Sequence, residues 1–170
     1  MKKKIGSNSK IFLVLLFLVG IPTVNSFAQD MAVPATLQAA LFKKIFAFDK
    51  TVQAKGSTDV VILSSGGSAD EIVSAFNSAG ISTKVVSGNQ VPGGANIVYV
   101  MPGVASPKQQ CAQKKVLSIS GVSSYAESGK VSIGLDVEGG KPKIIVNMAQ
   151  LKAEGQELSS DLLKLAKVIQ

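Results

Sequence analysis

Residues 59–87 read DVVILSSGGSADEIVSAFNSAGISTKVVS, and this stretch decides the fold. Asp59 to Ser64 is a β-branched run, short enough to be a strand buried on both faces. Ser68-Ala69-Asp70-Glu71 has the form of a capping box, in which the serine oxygen and Glu71 satisfy free amides at a helix start. Ile72, Val73, Phe76 and Ala79 supply the apolar side of that helix, and Gly80 stops it. Ser82 to Ser87 reads as a second strand. Strand, helix and strand in this order predict a βαβ start with a right-handed crossover.

Upstream, Pro34 opens a helical pattern in which Leu37, Leu41, Ile45 and Phe48 recur at the helical period, widened by Phe42 and Phe46. Downstream, the turn-rich stretch Ser87 to Ala95 leads into a third buried strand, Ile97 to Met101. Pro102-Gly103 turns the chain, and Ser106-Pro107 supplies an N-cap with proline at the first helical position. The short helix through Cys111 ends near Lys114-Lys115, lysines that suit the negative end of a helix dipole. Val116 to Ser120 is a fourth strand, and Ser123 to Ser128 a helical turn closed by Gly129. Val131, Ile133, Leu135 and Val137 alternate with Ser132, Gly134, Asp136 and Glu138, the period of a half-exposed strand. Gly139-Gly140 turns it back antiparallel into Lys143 to Met148. A last helix starts at Ser159 and presents Leu162, Leu165, Ala166 and Ile169 on one side. The expected fold is therefore α/β: a single domain with a mixed sheet of about six strands, a βαβ start, helices on both faces, and a C-terminal β-hairpin plus helix.

The first 28 residues read as an address. Lys2, Lys3, Lys4 and Lys10 precede the apolar run Ile11 to Val19, which Gly20 and Pro22 end. Ser26-Phe27-Ala28 then puts small residues at the −3 and −1 positions of a cleavage site, the order of a secretory signal peptide. The run is far short of the ~20 apolar residues that cross a bilayer. The expected division is a signal peptide at 1–28 and a domain at 29–170, with no membrane span left after cleavage. The leader takes 4 of the 18 lysines, leaving 14 against 11 acids, a net charge of +3 on the body. That is an ordinary solubility charge without a basic block, and aromatic stacking residues are few, so nucleic acid is not an expected partner.

Composition removes most catalytic chemistry. All 18 basic residues are lysine, and there is no histidine or tryptophan. Triads built on histidine, imidazole metal ligands and guanidinium forks are thus excluded. A single cysteine, Cys111, excludes an intrachain disulfide and a thiolate zinc cluster. It reads as a small apolar core residue or as a thiol for an intermolecular bridge, hence a possible homodimer. Asp70, Glu71, Asp136, Glu138, Glu154 and Glu157 fall at a cap or on exposed surfaces, without the spacing of a catalytic pair or calcium loop. The reading is a protein that is not an enzyme, with no catalytic or metal-ligating residue and no cofactor.

One place remains for a ligand. Ser64, Ser65, Gly66, Gly67 and Ser68 run from a strand into a helix start, and the loop holding Gly103 and Ser106 has the same character. Neither is a Walker A loop or a GxGxxG turn. With strand order 2-1-3, both loops lie at the switch point where open α/β sheets place ligands, and the crevice would take a small anionic or polar molecule. Plain capping and turn chemistry accounts for the same residues.

The carboxyl third resembles the YfiR-like family of exported bacterial proteins. Val116-Leu117-Ser118-Ile119-Ser120 with Tyr125-Ala126-Glu127-Ser128-Gly129 is similar to the family's strand and glycine turn. Lys143-Ile144-Ile145-Val146-Asn147-Met148 resembles its late strand, and Leu158 to Ala166 (LSSDLLKLA) its ending. Lys130 stands where the family repeats glycine, Ile144 replaces an aromatic, and the extra cysteines of some members are missing. The resemblance implies a periplasmic regulator whose partner is a membrane-anchored sensor or diguanylate cyclase, bound through its periplasmic domain so that cyclic-di-GMP synthesis is held down. It carries over no binding residues. Cleavage after Ala28 predicts that mass spectrometry of the exported chain finds Gln29 as its first residue; a chain retaining Met1 or Lys2 would refute the leader.

Overall fold

Seven strands form one sheet: β1 (Val60–Ser64), β2 (Thr83–Ser87), β3 (Ile97–Val100), β4 (Leu117–Ser120), β5 (Ile133–Glu138), β6 (Lys141–Asn147) and β7 (Lys167–Ile169). The structure is a computed structural model and describes residues 31–170, so the leader read at 1–28 lies outside the described residues. The strand order is β2-β1-β3-β4-β5-β6-β7. The first five strands are parallel, β6 returns antiparallel to β5, and β7 pairs parallel with β6. The helices are α1 (Ala35–Phe48), α2 (Lys50–Lys55), α3 (Asp70–Ser78), α4 (Lys108–Lys114), α5 (Ser123–Glu127), α6 (Met148–Ala153) and α7 (Ser160–Leu165).

The βαβ start forms as the β-branched runs require, and β3, flanked by two parallel neighbours, is buried along its whole length. Tyr99 of β3 sits against Phe42 of α1 and Phe76 of α3, with ring centroids 6.1 and 5.5 Å apart in edge-on arrangements. These contacts put α1 and α3 on one face of the sheet, here face A. Register and alternation then assign Val61, Val98, Ser118, Ser120, Ser132 and Gly134 to the other, face B, which α4, α5 and α6 cover.

Several expectations are corrected. On α1 the buried residues are Ala35, Gln38, Ala39, Phe42, Ile45 and Phe46, while Leu37 and Phe48 are 37% and 46% exposed. The stripe is rotated because the hydroxyl of buried Tyr99 needs a partner and takes Gln38 Oε1 at 2.7 Å. The capping box at Ser68 does not form. Ala69 is the N-cap, and Ser68 Oγ donates instead to the Asp70 carboxylate at 2.8 Å. The alternating segment around β5 is buried on both faces through Leu135, since α5 lies on Gly134 so closely that a Cβ there would be 2.9 Å from Ala126 Cβ. Its exposed half is only the hairpin end, where Gly139 and Gly140 turn at φ +58° and +76°. The last helix is one and a half turns long. Ser159 caps it, but the chain then extends into β7, leaving Leu165 77% exposed and Ile169 paired with Asn147. Helices α2 and α6 and strand β7 are the elements that the sequence pattern does not announce.

The α1 register makes a discriminating prediction. Phe42→Ala opens a cavity in the aromatic cluster and should cost about 3–5 kcal/mol of stability in denaturant unfolding. Phe48→Ala, equally apolar in sequence, should stay within about 1 kcal/mol. Equal losses would refute this packing.

Candidate functional site

With β2-β1-β3 as the observed order, the loops after β1 and β3 do lie at the carboxyl ends of adjacent parallel strands. They touch: a Cβ on Gly103, which turns at φ +80°, would be 3.0 Å from Ser65 Oγ. Buried Ser64 donates its hydroxyl to the Gly67 carbonyl at 2.8 Å and so closes its own loop. Ser65, Gly66, Gly67 and Ser68 are exposed. The Gly103 N–H donates to Tyr125 Oη at 3.0 Å. Ser106 Oγ donates to the Lys130 carbonyl at 3.2 Å and accepts from the Lys108 N–H at 3.4 Å. Lys130 Nζ stands 3.5 Å over the Tyr125 ring. Tyr125 and Lys130 therefore complete the rim. Their only signal in the sequence is their place in the segment that resembles the YfiR-like strand and turn.

This crevice is lined by serines and glycines. Two of its amides already have partners, and the first turn of α3 carries Asp70 and Glu71, whose charge opposes an anion. Among the described residues, no group of three metal-ligating side chains occurs.

The most constrained ionisable group lies elsewhere, on face B. Glu154, just past α6, is completely buried. Its Oε2 accepts the Ser118 N–H at 3.0 Å and the Ser132 hydroxyl, and its Oε1 accepts the Ser118 hydroxyl and Gln150 Nε2 at 2.8 Å. One side chain thus ties α6 to β4 and to the start of β5. Burial pushes the carboxyl up to about 7, more than the donors from Ser118, Ser132 and Gln150 pull it down. Cys111 packs nearby, fully buried, its thiol raised to about 12 by burial and by Glu154. This is an inert core residue. Sequence alone placed Glu154 on a surface, and a single acid after a short helix gives no sign of burial.

The raised carboxyl sets a pH dependence with a definite sign. The folded state holds the Glu154 proton more tightly than the unfolded chain, whose value is 4.5. Its contribution to stability is therefore complete below that value and is lost as pH rises through about 7. On the order of 3 kcal/mol should disappear across this window in the native chain. Urea unfolding from pH 4.5 to 7.5 should find this loss, and Glu154→Gln should remove most of the slope; equal slopes in the two proteins would refute it.

The comparisons with known proteins accord with this architecture. The model of the YfiR/HmsC-like family matches residues 35–167. A crystal structure of a conserved domain protein from Vibrio cholerae O1 biovar El Tor superposes with a TM-score of 0.63 at 13% identity, covering 83% of this chain and 61% of that one. The chain thus spans less than two thirds of that protein, and at this identity the likeness is one of fold. No curated protein matches in sequence. The family match runs from the first residue of α1 into β7, nearly the whole described domain, and the chain belongs to the YfiR/HmsC-like family.

Proposed function

We propose that this protein is an exported periplasmic regulator that binds a membrane-anchored signalling protein, such as a diguanylate cyclase, through its periplasmic domain and inhibits it. The family match over residues 35–167 carries this reading, since the family is known for periplasmic regulators of diguanylate cyclases. The leader at 1–28 agrees with it by delivering the domain to the right side of the membrane. No helix among the described residues is long and apolar enough to cross a membrane, so contact with a membrane partner falls to the folded surface. Control then rests on the difference in affinity for two states of the partner. The chemistry of the domain is compatible, because its one thiol is buried and its most perturbed acids, Glu154 and Asp49, are inside.

A second reading is a small-molecule binding protein that uses the crevice of Ser64, Ser65, Gly66, Gly67, Ser68, Gly103 and Ser106. The observed β2-β1-β3 order favours it, because it sets these loops at the switch point.

Affinity capture from detergent-solubilised membranes should recover a sensor cyclase or kinase with the tagged protein. Deleting the gene should raise cellular cyclic-di-GMP. A deletion strain with unchanged cyclic-di-GMP, and a capture without any membrane partner, would overturn the regulatory reading.

A further inference from the structure

The crossover from β2 to β3 passes over β1 without a helix. On face B, Leu63 near the carboxyl end of β1 is buried, but Val61, Lys84 and Val86 are not. Above them runs only the loop of residues 88–96. That loop is pinned rather than loose. Its Val91 is buried, the Val91 N–H donates to Gln110 Oε1 at 3.0 Å, and Gln110 Nε2 donates to the Asn89 carbonyl at 3.0 Å. Lys114 Nζ donates to the Val91 carbonyl. A crossover helix would fill the space beside this loop. The loop instead leaves an open groove of about 400 Å³ at the amino-terminal ends of β1 and β2, within the size range of small-molecule sites. It lies at the opposite end of the strands from the Ser64–Ser68 crevice.

The walls restrict what fits. Among the described residues, Asp59 and Lys84 are the charged side chains lining the groove, and their opposite charges cancel, so it has no net charge to attract an anion or a cation. Among the described residues, no aromatic side chain lines it. Ser57 Oγ donates to Asp59 Oδ2 at 2.9 Å, which orients the carboxylate and leaves Oδ1 as an acceptor. Ser82 and Asn96 add neutral hydrogen-bonding groups, while Val61 and Pro92 offer apolar surface for C–H groups. Gly93 and Gly94 have nothing within 4 Å of where a Cβ would stand, so the backbone there is open to close approach.

We propose that this groove binds an uncharged, polyhydroxylated small molecule of the sugar class, with Asp59 as the principal acceptor. The protein as its cells process it, labelled with ¹⁵N, would be titrated separately with glucose, N-acetylglucosamine, sodium phosphate and glycine. Either sugar should shift the amides of residues 59–61, 82–84 and 93–96. Asp59→Ala should weaken that binding at least about tenfold, as loss of a charged hydrogen bond requires. Ser106→Ala, at the far end of the strands, should leave it unchanged. The same spectra report whether each variant is folded. Phosphate or glycine shifting these amides while both sugars are silent would overturn the ligand class. Sugar shifts confined to residues 64–68 and 103–106, or no shift at the groove amides with any of the four probes, would overturn the site.

Discussion

The Tyr99 hydroxyl is the constraint to which much of this domain answers. Tyr99 sits in the interior strand β3, completely buried, and its ring completes an aromatic cluster with Phe42 and Phe76. A phenol at that depth must be hydrogen-bonded or lose about 1–3 kcal/mol. It accepts the Gly121 N–H at 3.2 Å and donates to Gln38, whose Nε2 in turn reaches the Val33 carbonyl at 2.7 Å. Helix α1, helix α3 and the chain at Gly121 are thus tied to one side chain of β3. A Cβ on Gly121 would come within 2.3 Å of Gln38 Oε1, so any larger residue there would push the Gln38 amide off the Tyr99 hydroxyl. Burial raises the Tyr99 hydroxyl far above the usual phenol range, so it stays a neutral donor at any pH the protein meets.

The two faces of the sheet solve the same packing problem with different chemistry. Face A is apolar and aromatic at its centre, where the neutral Tyr99–Gln38 pair lies. Face B is held by a carboxyl that β4, β5 and α6 share, and its ligation depends on Ser118 and Ser132, residues that look like ordinary interruptions in apolar strands. A fully buried carboxyl gains from hydrogen bonds but loses solvation, so such a cluster stabilises less than apolar packing of the same volume would. What it adds is geometry: the three donors from Ser118 and Ser132 fix where the end of α6 meets the sheet.

How far the fold was legible follows from these details. Strands β1 and β3 and the βαβ start could be read because buried parallel strands need unbroken β-branched runs, β4 from its short run between helical segments, and the hairpin because two glycines with positive φ mark its turn. Helices α2 and α6 have six residues each, too few for a period to emerge, and both depend on a cap (Asp49 and Asn147). Strand β7 was hidden because Leu162, Leu165 and Ala166 keep the helical spacing up to the residue where pairing with β6 takes over. For the site, the switch point was legible from element order. The Tyr125–Lys130 rim and the Glu154 cluster were not, because both arise from residues brought together across the sheet.

The segment after α6 joins the two faces. Beginning at Glu154 on face B, it sends Gln156 Nε2 to the Lys115 carbonyl at 3.1 Å and the Glu157 carbonyl to the Lys50 N–H at 2.9 Å. Leu158 then bridges to Asp49, and the Ser159 N–H donates to the Phe48 carbonyl at 3.0 Å. Asp49 is itself buried: one carboxylate oxygen caps α2 through Thr51 and Val52, and the other has no partner among the described residues. Burial raises its carboxyl, as it does that of Glu154. Six residues of strap therefore run between two buried acids, with backbone bonds to the junction of α1 and α2 along the way. The strap cannot shift without breaking hydrogen bonds at both ends. In this fold residues 154–159 are where the packing of one face is mechanically joined to the other.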